Sequence, residues 1–158
     1  MNAAFLEQEL YNQQLSDIVS RSESTTPDIR LPDLNGDTIS LSSLKGKVVL
    51  LSFWASWNEE SVSQNVQLKN LYQKYKARGF EIFQVSLDSE LESWIRAIQF
   101  DELPWINVSD LSYPESYTAR IYNIRELPTS YLINREGQIV LKNNNINTLN
   151  IMIPNLLD

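Results

Sequence analysis

Apolar residues recur along the chain at two spacings, one helical and one alternating, and the change between them marks the elements. In FLEQELYNQQLSDIV (5–19), Leu6, Leu10, Tyr11, Leu15, Ile18 and Val19 fall at helical spacing, which predicts an amphipathic helix. The polar stretch RSESTTPD (21–28) carries a proline and reads as a linker. Residues 1–26 are therefore expected as a helix and linker, and 27–158 as one domain. IRLPDLNGDTISLSSLKGK (29–47) predicts a hairpin: NGD at 35–37 is a turn signal, and Ile39 and Leu41 alternate after it. The apolar run at 48–55, broken only by Ser52, predicts a buried strand. A helix is expected from Glu59 to Arg78, with Val62, Val66, Leu71 and Tyr75 on its buried face and Gly79 as its stop.

Downstream, FEIFQVSLD (80–88) predicts a second strand and SELESWIRAIQF (89–100) a second helix, apolar at Leu91, Trp94, Ile95 and Ile98. INVSD (106–110) reads as a short strand or loop, and Pro114–Tyr122 as a short helix. TSYLINREGQIVLKN (129–143) predicts a hairpin turning at 135–137, and Asn147–Leu157 a last helix with Pro154 awkward near its end. Strands alternating with helices imply an α/β fold: a mixed sheet with helices on both faces, its first two core strands parallel.

Composition narrows the chemistry. The 158 residues suffice for one core. Lys plus Arg is 13 and Asp plus Glu is 20, a net charge of −7. An acidic chain without a basic stripe is poorly suited to nucleic acid or anionic lipid. The absence of cysteine removes thiol chemistry, disulfides, iron–sulfur clusters and thiolate zinc sites. The absence of histidine removes the commonest general base and transition-metal ligand. Carboxylates alone can build a hard-metal site, but no DxDxDG-type loop is present, and neither a metal nor a cofactor is expected. MNAAFLEQEL lacks a basic region before an apolar block, so no signal peptide is visible.

Three spaced stretches then carry a family resemblance: PDIRLPDLNGDTISLSSLKGKVVLLSFWASW, LKNLYQKYKARGFEIFQVSLD and LPTSYLINREGQIV. Together they resemble the thioredoxin-like proteins of the TlpA/ResA group, related to the AhpC/TSA peroxiredoxins, over about residues 27–143. The resemblance implies a thioredoxin-like fold and a thiol-disulfide oxidoreductase acting in the periplasm or cell envelope, in disulfide reduction or cytochrome maturation. It also implies a WCxxC motif, whose cysteines would fall at Asn58 and Ser61. The family's proline before the second cysteine falls at Glu60, a helix-kinking proline at Val66, and a proton-transferring acid at Ser52. Trp54, Trp57 and Leu127–Pro128–Thr129 survive, and the family's proline at 128 is cis and faces the active site.

Read physically, the altered turn is a capped helix start. Asn58 is a strong N-cap residue, and Glu59 and Glu60 suit the positive end of the helix dipole. As an acid/base pair they converge poorly, since adjacent helical side chains point ~100° apart. Ser61 has neither His nor a nearby Lys to activate it and is expected as a solvated hydroxyl. Trp57 is either a packing residue or an apolar anchor for a partner, while Trp54, Trp94 and Trp105 are expected in the core. In the family the backbone before the cis proline pairs with an extended substrate segment, and that pairing needs no thiol, so Leu127 remains available to a peptide. The expected function is a redox-inactive domain binding a protein or peptide through Trp57, Asn58, Glu59, Glu60, Leu127 and Pro128. The alternatives are an oxidoreductase-family domain serving cell-envelope redox homeostasis within a larger assembly, an altered form of an active enzyme, and a scaffold whose groove is idle.

Overall fold

The structure is a computed structural model and describes residues 26–142 and 145–158. The helix expected over 5–19 and the linker up to residue 25 lie outside the described residues.

The first hairpin pairs β1 (Arg30–Pro32) with β2 (Thr38–Ser40). Its turn is held by the Asp33 carboxylate, which accepts from the Asn35 and Asp37 N–H groups at 2.9 and 3.0 Å. A 3₁₀ turn at Leu41–Leu44 leads into β3 (Val48–Trp54), every residue of which is buried. A strand covered on both faces must be apolar on both, which is why VVLLSFW shows no alternation. Helix α1 follows (Glu59–Tyr75), then β4 (Phe80–Ser86), α2 (Leu91–Asp101), β5 (Ile106–Val108), α3 (Tyr117–Ile121), β6 (Thr129–Ile133), β7 (Ile139–Lys142) and α4 (Ile146–Leu157). The main sheet has the order β5-β4-β3-β6-β7, with β3, β4 and β5 parallel and β6 and β7 antiparallel.

Alternate residues of β3 serve two cores. Val48, Leu50 and Trp54 face α1, α2 and α4, packing with Leu68, Leu71, Tyr72, Trp94, Leu149 and Ile153. Val49, Leu51 and Phe53 face the hairpin and α3, packing with Ile29, Leu31, Leu41, Tyr122 and Tyr131. Trp94 and Trp105 lie in the core, as expected.

Helix α1 departs from the expected face. Leu71 and Tyr75 are buried, but Val62 is only half-buried and Val66 is 53 % exposed. The inward residues of its first half are Ser61, Gln64 and Asn65. The reason lies beneath them, where the sheet presents a polar row rather than an apolar one. In α2, likewise, Trp94 and Ile98 are buried while Leu91 is exposed.

Two details close the fold. Pro154 lies inside α4 and cannot donate to the Asn150 carbonyl four residues earlier. The Tyr75 hydroxyl approaches that carbonyl at 3.5 Å and the Asn150 side-chain oxygen at 3.3 Å, supplying a donor from α1. Arg135, in the β6–β7 turn, donates to the carbonyls of Gly46, Arg78 and Leu157 at 2.8, 3.1 and 3.0 Å, tying three chain segments together. Gly79 has φ +102, a conformation that other residues rarely adopt, and a Cβ there would crowd Arg135 Nη1 at 3.0 Å.

Candidate partner-binding site

The segment from Ala55 to Asn58 leaves the carboxyl end of β3 and turns into α1. Its shape is set from below by Asp88, which is 1 % exposed. One oxygen of its carboxylate accepts from the Ser56 hydroxyl at 2.5 Å and the Ser56 N–H at 3.2 Å; the other accepts from the Ser86 hydroxyl at 2.5 Å. The Leu87 N–H donates to the Trp54 carbonyl at 2.8 Å, so the loops after β3 and β4 are stitched together. A buried carboxylate bonded this densely is satisfied by neutral donors and needs no cation.

On this base the next residue points outward. Trp57 is 57 % exposed and packs on one neighbour that sequence reasoning did not single out, Tyr113, with ring centroids 5.7 Å apart and planes tilted by 39°. The Tyr113–Pro114 peptide bond is cis. Asn58 then caps α1 with extended φ/ψ of −103° and 113°, its side-chain oxygen accepting from the Ser61 N–H at 2.8 Å. Glu59 and Glu60 occupy the exposed first turn.

Ser61 is not the solvated hydroxyl expected. It is fully buried, and its Oγ has no hydrogen-bond partner among the described residues. It opens the inward face of α1, where Asn65, one turn on, meets the sheet. There four strands place Ser130, Ser52, Gln84 and Asn107 side by side in register. Gln84 links the layers: its amide nitrogen donates to the Asn65 side-chain oxygen at 2.7 Å and to Ser52 Oγ at 3.4 Å, and its oxygen accepts from Trp105 Nε1 at 2.8 Å. The position that the resemblance assigns to a proton-transferring acid, Ser52, is thus part of a neutral, buried polar layer. This layer was missed from the sequence, although Ser52 and Gln84 are the matching polar interruptions of VVLLSFW and FEIFQVS.

Opposite the start of α1, the Leu127–Pro128 peptide bond is cis. The loop is fixed by Thr129, whose hydroxyl donates to the Glu126 carbonyl at 2.7 Å. Leu127 is half-buried, and its backbone N–H and C=O make no hydrogen bond among the described residues. Between this loop and α1 runs an open groove of about 370 Å³ lined by Glu60, Ser63, Gln64, Gln67, Glu126, Leu127 and Pro128. Of the expected partner-binding residues, the structure therefore brings Glu60, Leu127 and Pro128 into one groove. Trp57, Asn58 and Glu59 do not line it; they form the adjoining helix start.

A sequence profile described as the AhpC/TSA family matches residues 23–142. The chain belongs to the AhpC/TSA family. It is 35 % identical over 132 residues to the thiol-disulfide oxidoreductase ResA of Bacillus subtilis (strain 168), spanning 83 % of this chain and 72 % of that protein. It is 36 % identical over 121 residues to the protein of the same description from Bacillus cereus, spanning 73 % and 65 %. Among solved structures it is similar to a thiol-disulfide oxidoreductase from Bacteroides fragilis NCTC 9343, with a TM-score of 0.74 and 32 % identity over 81 % of this chain and 98 % of that one. A thiol:disulfide interchange protein from Bacteroides sp. gives a TM-score of 0.75 and 30 % identity over 85 % and 88 %. The fold is thus thioredoxin-like and thiol-disulfide oxidoreductase-like, in a chain that holds no cysteine. What the site offers chemically is a capped helix end, a cis-proline loop with an available backbone, and no sulfur nucleophile.

Proposed function

We propose that this protein is a redox-inactive member of its family that binds an extended peptide or protein segment in the groove between α1 and the Leu127–Pro128 loop. Its setting is the cell envelope, as the resemblance to extracytoplasmic oxidoreductases implies. The carrying observation is the Leu127 backbone, which makes no hydrogen bond among the described residues and leaves a donor and an acceptor for a strand-like partner. An extended segment pairs with such a donor and acceptor at once. The exposed Trp57–Tyr113 pair beside the helix start adds the kind of aromatic surface that dominates binding hot spots. Thiol–disulfide exchange needs a thiolate to attack, and Asn58 and Ser61 supply none.

The experiment is selection of a displayed random-peptide library against the purified protein and against Trp57→Ala and Glu60→Lys variants. The reading expects peptides enriched on the parent and lost on at least the groove variant. Failure to enrich any peptide, or enrichment indifferent to both changes, would overturn it.

A further inference from the structure

We infer that the groove selects a basic segment: an extended peptide carrying Lys or Arg beside the backbone that pairs with Leu127. The inference rests on the peptide-binding reading and names the chemistry of its partner. Glu60 and Glu126 line the same groove from opposite sides, α1 and the cis-proline loop, and no Lys or Arg among the described residues lines it. Glu59 adds a second exposed carboxylate in the first turn of α1. Carboxylates on the two walls of one groove give it a negative potential that favours a cation bound between them.

Nearby cations meet this potential only in part. Lys142 feels the Glu126 carboxylate, but burial holds its ammonium below the ordinary lysine range, so it answers at most one of the groove's acids. Next to the helix start, Trp57 presents a half-exposed indole tilted against Tyr113, a surface that attracts guanidinium and ammonium groups through the ring face. Exposed on the same stretch of α1, Ser63 and Gln67 can accept hydrogen bonds from such groups. The whole chain, at net charge −7, draws the same class of partner from a distance.

The test uses three fluorescent peptides of one extended, Val- and Thr-rich host sequence, carrying Lys, Gln or Glu at the same positions. Binding is read by fluorescence anisotropy at low and high salt. The lysine peptide is expected to bind about five-fold tighter than the glutamine peptide at low salt, as two partly exposed charge contacts provide, and the glutamate peptide weakest. High salt, and the Glu60→Gln/Glu126→Gln variant, should bring the lysine and glutamine peptides to near-equal affinity. Equal binding of all three to the parent overturns the charge inference and leaves the peptide-binding reading standing. A glutamate preference, or a lysine preference unchanged in the double variant, also overturns it. If none of the three binds, both fall together.

Discussion

Asp88 is the side chain from which the Ser56–Asn58 segment, with its exposed Trp57, hangs. It lies two residues beyond β4, and its carboxylate gathers the Ser56 N–H and the hydroxyls of Ser56 and Ser86. Asp88→Ala leaves those buried donors without an acceptor and should lower stability by about 2–3 kcal/mol, measured by urea unfolding. In the same variant Trp57 should lose its fixed packing on Tyr113, visible as a change in tryptophan fluorescence; an unchanged midpoint would mean the loop is held by something else. Tyr122 gives a residue-scale prediction in pH. Its hydroxyl donates to the Pro27 carbonyl, and burial, with the Asp28 carboxylate adding to it, raises its pKa far above the ordinary tyrosine value. In the unfolded chain the phenol ionises near pH ~10, while in the folded chain it stays protonated beyond that. Its contribution is therefore whole below about pH 10 and is lost as pH rises above it. Tyr122→Phe should cost about 1 kcal/mol at neutral pH and flatten the alkaline decline. Tyr72, pushed up to about 12 by burial and by Glu81, declines in both proteins, so the difference between parent and variant is the readout. An alkaline decline as steep in the variant as in the parent would remove Tyr122 as a cause.

At the scale of elements, period and punctuation made most of the fold legible. The buried run 48–54, the turn at Asn35–Asp37 and the stop at Gly79 each rest on a local rule that tertiary packing did not override. The buried face of α1 was not legible, because helical periodicity looks for apolar residues and the N-terminal half of this face is Ser61, Gln64 and Asn65. Their counterpart is a row assembled from four separate strands, and only register brings Ser130, Ser52, Gln84 and Asn107 into line. Of the site, the cap at Asn58 followed from residue type alone, whereas Tyr113 beneath Trp57 could not be foreseen from a loop so distant in the chain. The α1 start also predicts what sulfur would do there. Asn58 and Ser61 stand in one helical turn, the first half-exposed and the second buried. Asn58→Cys/Ser61→Cys should close a disulfide under mild oxidant and give weak insulin reduction, because the helix N-terminus favours the first thiolate while Glu59 and Glu60 oppose it. Two free thiols in a folded double variant would contradict the equivalence of these positions to the family's cysteines.

For the whole molecule, the fold places the groove between the first half of α1 and the loop before β6. The helices α1, α2 and α4 and the hairpin on the opposite face hold the sheet that positions it. Neither the Leu127 backbone nor the Trp57–Tyr113 pair depends on sulfur, so the proposed recognition surface is complete in a chain without cysteine. The most direct measurement is an NMR titration of the isotopically labelled protein with the lysine-bearing extended peptide, following the backbone amide of Leu127. That amide should move strongly downfield as it gains a hydrogen bond, together with shifts at Glu60, Ser63 and Gln67, and its exchange with solvent should slow. Saturable binding that leaves Leu127 unmoved and shifts a different surface would contradict a peptide groove at the cis-proline loop.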